Sequence, residues 1–165
     1  MRHIQWKFLG LALILAFVGL RCAPPKRVPS VAKPTQVEVE GAKPLVVSVT
    51  EIKKRPLRPD ELTPFAKAGS LWEYQVKLEN PSDVGVSLDR LHITVQNLWG
   101  ASWDEDQPLN VQLAEASERE ISVQGRLTTS NPQDRASLTG VQTLTFSGRD
   151  DDGGSIRFTV RVPLD

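Results

Sequence analysis

The residues best suited to chemistry form a short aromatic and acidic run in the middle of the chain. Trp99 and Trp103 stand four positions apart, and Asp104, Glu105 and Asp106 follow directly. Exposed tryptophans anchor ligands because they bury a large area at little conformational cost. A loop tryptophan can instead fold over the open end of a β-sandwich and plug its core, which is the favoured interpretation. The sequence predicts a loop here, and its candidate partner-binding residues are Trp99, Trp103, Asp104 and Asp106.

A second acidic group lies near the end of the chain, where three consecutive aspartates precede two glycines. Calcium takes six to eight oxygen ligands, so Asp150 and Asp152 are weak calcium candidates, which Asp104 and Asp106 could complete. The spacing is not that of an EF-hand loop. A solvated hairpin turn, in which glycine supplies positive φ, is favoured, and neither a metal nor a cofactor is predicted.

The residues offer little support for catalysis. Beyond residue 22 the chain has a single histidine, His92, which the alternation of apolar and polar residues places on the polar face of a strand. The chain contains no nucleophile-elbow, zincin or P-loop motif. We predict no enzyme, and a small hydrolase with an unrecognised carboxylate pair is the least favoured function.

The first 22 residues are typical of an export signal. Arg2 and Lys7 precede an uncharged apolar run of 13 residues, 8–20, whereas a membrane-spanning helix needs about 20. Cys22, where this run ends, resembles the lipidated cysteine of bacterial envelope lipoproteins. The resemblance implies a membrane anchor that faces the periplasm, and Ala23 in second place favours the outer membrane. The alternative is an uncleaved signal anchor in the inner membrane.

Residues 23–44 are predicted to be an extended linker, since they include five prolines. Only the alternation in residues 37–40 could add a strand. The whole chain has 20 basic and 20 acidic side chains, which gives no reason to expect nucleic-acid binding. One cysteine and two histidines exclude an internal disulfide and a zinc site built from soft ligands alone. A small-molecule ligand is not expected.

From residue 45 to 165 the apolar residues alternate with a period of two, which predicts about seven strands. Trp72 is expected in the core on the clearest of these strands, and a kink is predicted near Asp89 and Arg90. Short helical turns are expected in residues 60–68 and 132–138, the second with Asn131 as its cap. The long helical periodicity of a parallel α/β sheet is missing.

This alternation resembles bacterial immunoglobulin-like and fibronectin-like domains. The resemblance rests on the segments YQVKLENPSDVGVSLDRLHITV, VQLAEASEREISVQGRL and FSGRDDDGGSIRFTVRV. It implies an all-β, immunoglobulin-like antiparallel sandwich and an envelope location, but no single activity. We therefore expect a non-catalytic, membrane-tethered envelope module for protein binding or complex assembly. The alternative is a carbohydrate-binding accessory domain that recognises envelope glycan.

Overall fold

Residues 36–165, which a computed structural model describes, fold into two antiparallel sheets. Their strands are β1 (Glu38–Glu40), β2 (Val46–Pro56), β3 (Ala68–Asn80), β4 (Val86–Asn97), β5 (Ser102–Leu113), β6 (Ser117–Thr129), β7 (Gly140–Asp150) and β8 (Ser155–Leu164). One sheet has the order β1-β8-β7-β4-β5 and the other the order β2-β3-β6. The predicted all-β antiparallel sandwich is confirmed, with eight strands rather than seven.

The additional strand, β1, lies inside the predicted linker. It pairs with β8, and an ion pair of 3.6 Å joins Glu38 to Arg161 across the two strands. The strand expected from the alternation in residues 37–40 is therefore confirmed, and the ordered sheet begins before Leu45. Residues 1–22 with Cys22, and most of the linker, lie outside the described residues. Within residues 36–165 no helix has the length and hydropathy needed to cross a bilayer.

The core lies between the two sheets and follows the predicted alternation. Along one face of β3, Trp72, Tyr74, Val76 and Leu78 are each exposed by 2% or less. β8 contributes its own alternate residues, among them Phe158, which stacks on Phe146 of β7 with ring centroids 4.8 Å apart. The prediction that Trp72 belongs to the core is confirmed.

A buried hydrogen-bonded bridge joins the two sheets across this core. The Tyr74 hydroxyl donates to Gln142 Oε1 at 2.9 Å, and Gln142 Nε2 donates to the Gln124 carbonyl at 3.0 Å. Burial raises the pKa of Tyr74, so its hydroxyl stays protonated. A side chain at Gly125 would overlap Gln142 Oε1, so only glycine leaves enough space for the Gln142 carboxamide at this position.

Turns and irregularities lie close to their predicted places. The register of β4 shifts between Leu88 and Arg90, which confirms the expected kink. Asn80 ends β3 and is almost fully buried, and its amide donates to the carbonyls of Val84 and Ala114. One side chain thereby ties together the β3–β4 and β5–β6 turns.

The two predicted helical turns are shorter than expected. They are 3₁₀ helices at Pro59–Glu61 and Arg135–Leu138, and the cap of the second is Asp134 rather than Asn131. The Asn131 side chain instead accepts a hydrogen bond from the backbone N–H of Gln133. This bond forms a separate tight turn, and the helix begins only at Arg135.

Candidate functional site

The predicted loop that carries the two tryptophans is in fact mostly strand. β5 begins at Ser102, so Trp103 and the three acids after it pair with β4, whereas Trp99 stays in the β4–β5 turn. Asp and Glu are poor strand formers, and this part of β5 is exposed along its length. Pairing with β4 makes this segment a strand, and its local sequence pattern did not predict one.

Strand register separates the candidate residues onto two faces. Trp103 lies opposite Val95, and Glu105 lies opposite Ile93. Because directly opposed residues share a face, Trp103 and Glu105 point to the side of the core. Asp104 and Asp106 lie on the outer face, away from the second sheet. The predicted cluster of tryptophans and acids is therefore not one surface.

On the core side, the two sheets leave an open groove of about 620 Å³ between β5 and β6. We call this the β5–β6 groove. Its lining includes the apolar residues Leu71, Ile93, Val95, Trp103 and Leu127 and the polar residues Thr63, Glu105, Gln107, Gln124 and Arg126. The groove therefore offers an apolar floor with hydrogen-bonding groups along its walls.

Both tryptophans are accessible. Trp99 is 54% exposed and Trp103 is 46% exposed. Neither is folded into the core, so the favoured plug interpretation is wrong. Trp103 lies on the edge strand β5, and an edge position leaves an indole half in water.

Local hydrogen bonds hold Trp99 in place. The Asn97 carboxamide accepts from the backbone N–H of both Trp99 and Ala101 and so shapes the turn. The indole N–H of Trp99 donates to the Asp134 carboxylate at 3.1 Å. Hydrogen bonds from Ser137, and next from Trp99, lower the pKa of Asp134. Trp99 is thereby fastened to the cap of the second 3₁₀ helix.

The outer face of β4 and β5 carries a hydroxyl, an imidazole and a carboxylate, each within hydrogen-bond distance of the next. Thr94 Oγ1 lies 3.3 Å from His92 Nε2, and His92 Nδ1 lies 3.1 Å from Asp106 Oδ1. The predicted polar-face position of His92 is confirmed. An acyl-transfer site also needs oxyanion donors and a cleft for substrate. Here the group stands on an open sheet face, whereas the β5–β6 groove opens on the opposite side.

The three consecutive aspartates occupy the β7–β8 hairpin, as predicted. The Asp150 carboxylate accepts from the backbone N–H of Gly154, and Gly153 adopts a φ of +86°. Asp150 lies opposite Val86, whereas Asp106 lies opposite His92, six residues further along β4. At about 3.4 Å per residue these acids are roughly 20 Å apart, so Asp104 and Asp106 do not complete a calcium site. Within residues 36–165 no three acidic, histidine or cysteine side chains are grouped to hold a metal.

The structure adds residues that the sequence did not single out. Glu105 and Arg126 line the groove, and Phe65, two positions after Thr63, is 87% exposed. Alternation along β5 would have assigned Glu105 to the face of Trp103 if the segment had been recognised as a strand. Arg126 and Phe65 come from distant parts of the chain and had no sequence signal.

Comparison with known proteins supports the fold and no activity. No family model and no curated protein matches the chain. An X-ray structure solved as Northeast Structural Genomics Consortium target SoR45 is similar, with 11% identity and a TM-score of 0.52 over 78% of this chain and 86% of that one. A Bordetella pertussis protein solved under the name ApaA aligns with 17% identity and a TM-score of 0.48 over 75% of this chain and 92% of that one. At these identities the first likeness extends to the sandwich fold alone.

Proposed function

We propose that this protein is a non-catalytic module of the bacterial cell envelope that binds a protein partner through the β5–β6 groove. The observation that carries the proposal is the half-exposed Trp103 beside an open groove with an apolar floor. Tryptophan side chains beside an apolar groove are typical anchors of protein interfaces, because they become fully buried when a partner binds. Phe65, two positions after Thr63 in the chain, is a further exposed aromatic residue, although it does not itself line the groove.

The proposed location rests on the first 44 residues. The basic start, the short apolar run and Cys22 resemble a lipoprotein signal, and the proline-rich stretch after it suits a spacer. In this proposal a lipidated Cys22 anchors the protein so that it faces the periplasm, with the outer membrane favoured. An uncleaved signal anchor in the inner membrane is the alternative.

A photo-crosslinking experiment on the full-length protein tests the proposal. A photoreactive phenylalanine derivative replaces Trp103 and, in a matched control, Val46, which is 52% exposed on the far edge of the other sheet. Crosslinking in native membranes followed by mass spectrometry should identify a protein joined at position 103 and not at 46. Equal products at both positions, or none at 103, would remove the proposal. The same spectra show whether Cys22 carries acyl chains.

The second candidate is binding of envelope glycan, and the polar walls of the groove favour it. Glu105 and Gln107 lie on the same face of β5 as Trp103 and line the groove with it, and sugars are bound by an indole face together with amide and charged hydrogen-bonding groups. Titration with soluble peptidoglycan fragments should then change the indole fluorescence of the wild-type protein. The Trp103→Ala variant should not respond. An unchanged wild-type signal would exclude glycan.

A further inference from the structure

The edge of β5 carries free backbone groups next to the groove. β5 pairs with β4 on one side and with no other strand of the described chain. An edge strand presents unpaired N–H and C=O groups that can pair with an added strand. Pro108 lacks an N–H, so the stretch open to pairing is residues 102–107.

The two faces of that stretch require different side chains from an added strand. Toward the groove, every second residue would meet Trp103, Glu105 and Gln107 of β5, with the apolar Ile93 and Val95 of β4 one strand further in. On the outer face, the residues between them would meet Asp104 and Asp106. Within residues 36–165 neither aspartate forms an ion pair with a Lys or Arg, and the Asp106 carboxylate lies 3.1 Å from His92 Nδ1.

We infer that the β5 edge binds an extended segment of the partner in which apolar residues alternate with lysine or arginine. The inference rests on the proposed function and names the chemistry of its partner. Apolar side chains enter the groove, basic side chains pair with Asp104 and Asp106, and the backbone extends the sheet. A second copy of β5 is not this partner, because pairing would set three carboxylates against three.

Synthetic peptides of about seven residues, long enough to cover residues 102–107, test the inference against the full-length protein. A labelled peptide of alternating valine and lysine should bind in fluorescence anisotropy, and rising salt should weaken it. The valine–glutamate peptide should bind at least about tenfold more weakly, since like charges then face each other. Methylating alternate backbone nitrogens of the valine–lysine peptide should abolish binding, because the peptide can then no longer donate backbone hydrogen bonds to the carbonyls of β5.

Charge variants locate the site. Asp104→Asn with Asp106→Asn should weaken binding of the valine–lysine peptide by about twofold to thirtyfold, the range for two exposed ion pairs. Asp151→Asn with Asp152→Asn removes the same charge from the distant hairpin and should leave the affinity unchanged. Equal effects of the two pairs, or equal binding of the lysine and glutamate peptides, would overturn the inference.

Crosslinking separates the two possible failures. If position 103 captures a protein while the valine–lysine peptide does not bind, the proposed function stands and the partner chemistry is wrong. If neither is observed, both fail.

Discussion

Replacing Gly125 with alanine should destabilise the domain through the buried bridge between the sheets. The added Cβ would overlap Gln142 Oε1 and lie 3.2 Å from Leu164 Cδ2. Gln142 is fully buried, and its oxygen and nitrogen hold Tyr74 and the Gln124 carbonyl. The amide end is flexible in principle, but it cannot move without releasing these partners.

The expected cost follows from the hydrogen bonds that would be lost. Leaving the Tyr74 hydroxyl buried and unpaired costs about 1–3 kcal/mol, and the bond from Gln142 to the Gln124 carbonyl contributes about 0.5–1.5 kcal/mol. Reduced backbone freedom of the unfolded alanine variant offsets about 0.4–1 kcal/mol. The free energy of unfolding should therefore fall by about 0.5–4 kcal/mol.

Urea denaturation of Gly125→Ala, followed by circular dichroism, measures this loss. Ser122→Ala, at an exposed position of the same strand, should change stability by no more than about 0.5 kcal/mol. In a Gln142→Val background the overlapping atoms are absent, so adding Gly125→Ala should cost less than about 1 kcal/mol. An equal cost in both backgrounds would refute the assignment of the effect to Gln142.

Three further predictions follow from individual contacts. Hydrogen bonds from Arg55 hold the pKa of Glu61 well below its ordinary range. The ionised Glu61 therefore stabilises the folded state fully above about pH 4.3, and this contribution is lost as the pH falls toward the folded-state pKa. Glu61→Gln should therefore be less stable than wild type at neutral pH and converge with it in acid, as measured by urea unfolding; a constant difference would contradict the carboxylate's role. Because the pKa of Asp134 is also lowered, the NMR resonance of the Trp99 indole N–H should shift only below the ordinary aspartate pKa, and a midpoint above that value would contradict the contact. Asn80→Ala removes hydrogen bonds to three backbone carbonyls and should lower the free energy of unfolding by about 2–4 kcal/mol in the same assay. A loss below about 1 kcal/mol would show that the two turns are stable without the Asn80 side chain.

Much of the fold could be predicted because the buried strands have two different faces. From Trp72 to the end of β3, and along the whole of β8 around Phe158, buried positions alternate with more accessible ones. That period is the local signature of a strand with one side in a core. The first half of β5 could not be recognised, since both its faces contact water and its acids favour other conformations. Only pairing with β4 makes it a strand.

The candidate site was predicted in part. Trp103 was named, but its neighbours Asp104 and Asp106 lie on the opposite face, and Trp99 is fastened separately to Asp134. Arg126 of β6, which shares the groove with Trp103, was not named. These residues are close in sequence and were predicted to form one cluster. Because side chains alternate along β5, they lie on two opposite faces instead.

The amino-acid sequence by itself determined the all-β class, the faces of the buried strands and the main turns, because these follow from local periodicity and turn chemistry. Tertiary structure alone decided which strands lie at the edges, where the sheets separate into a groove and which side chains meet there. These features depend on pairings between residues far apart in the chain, and such pairings have no local signature.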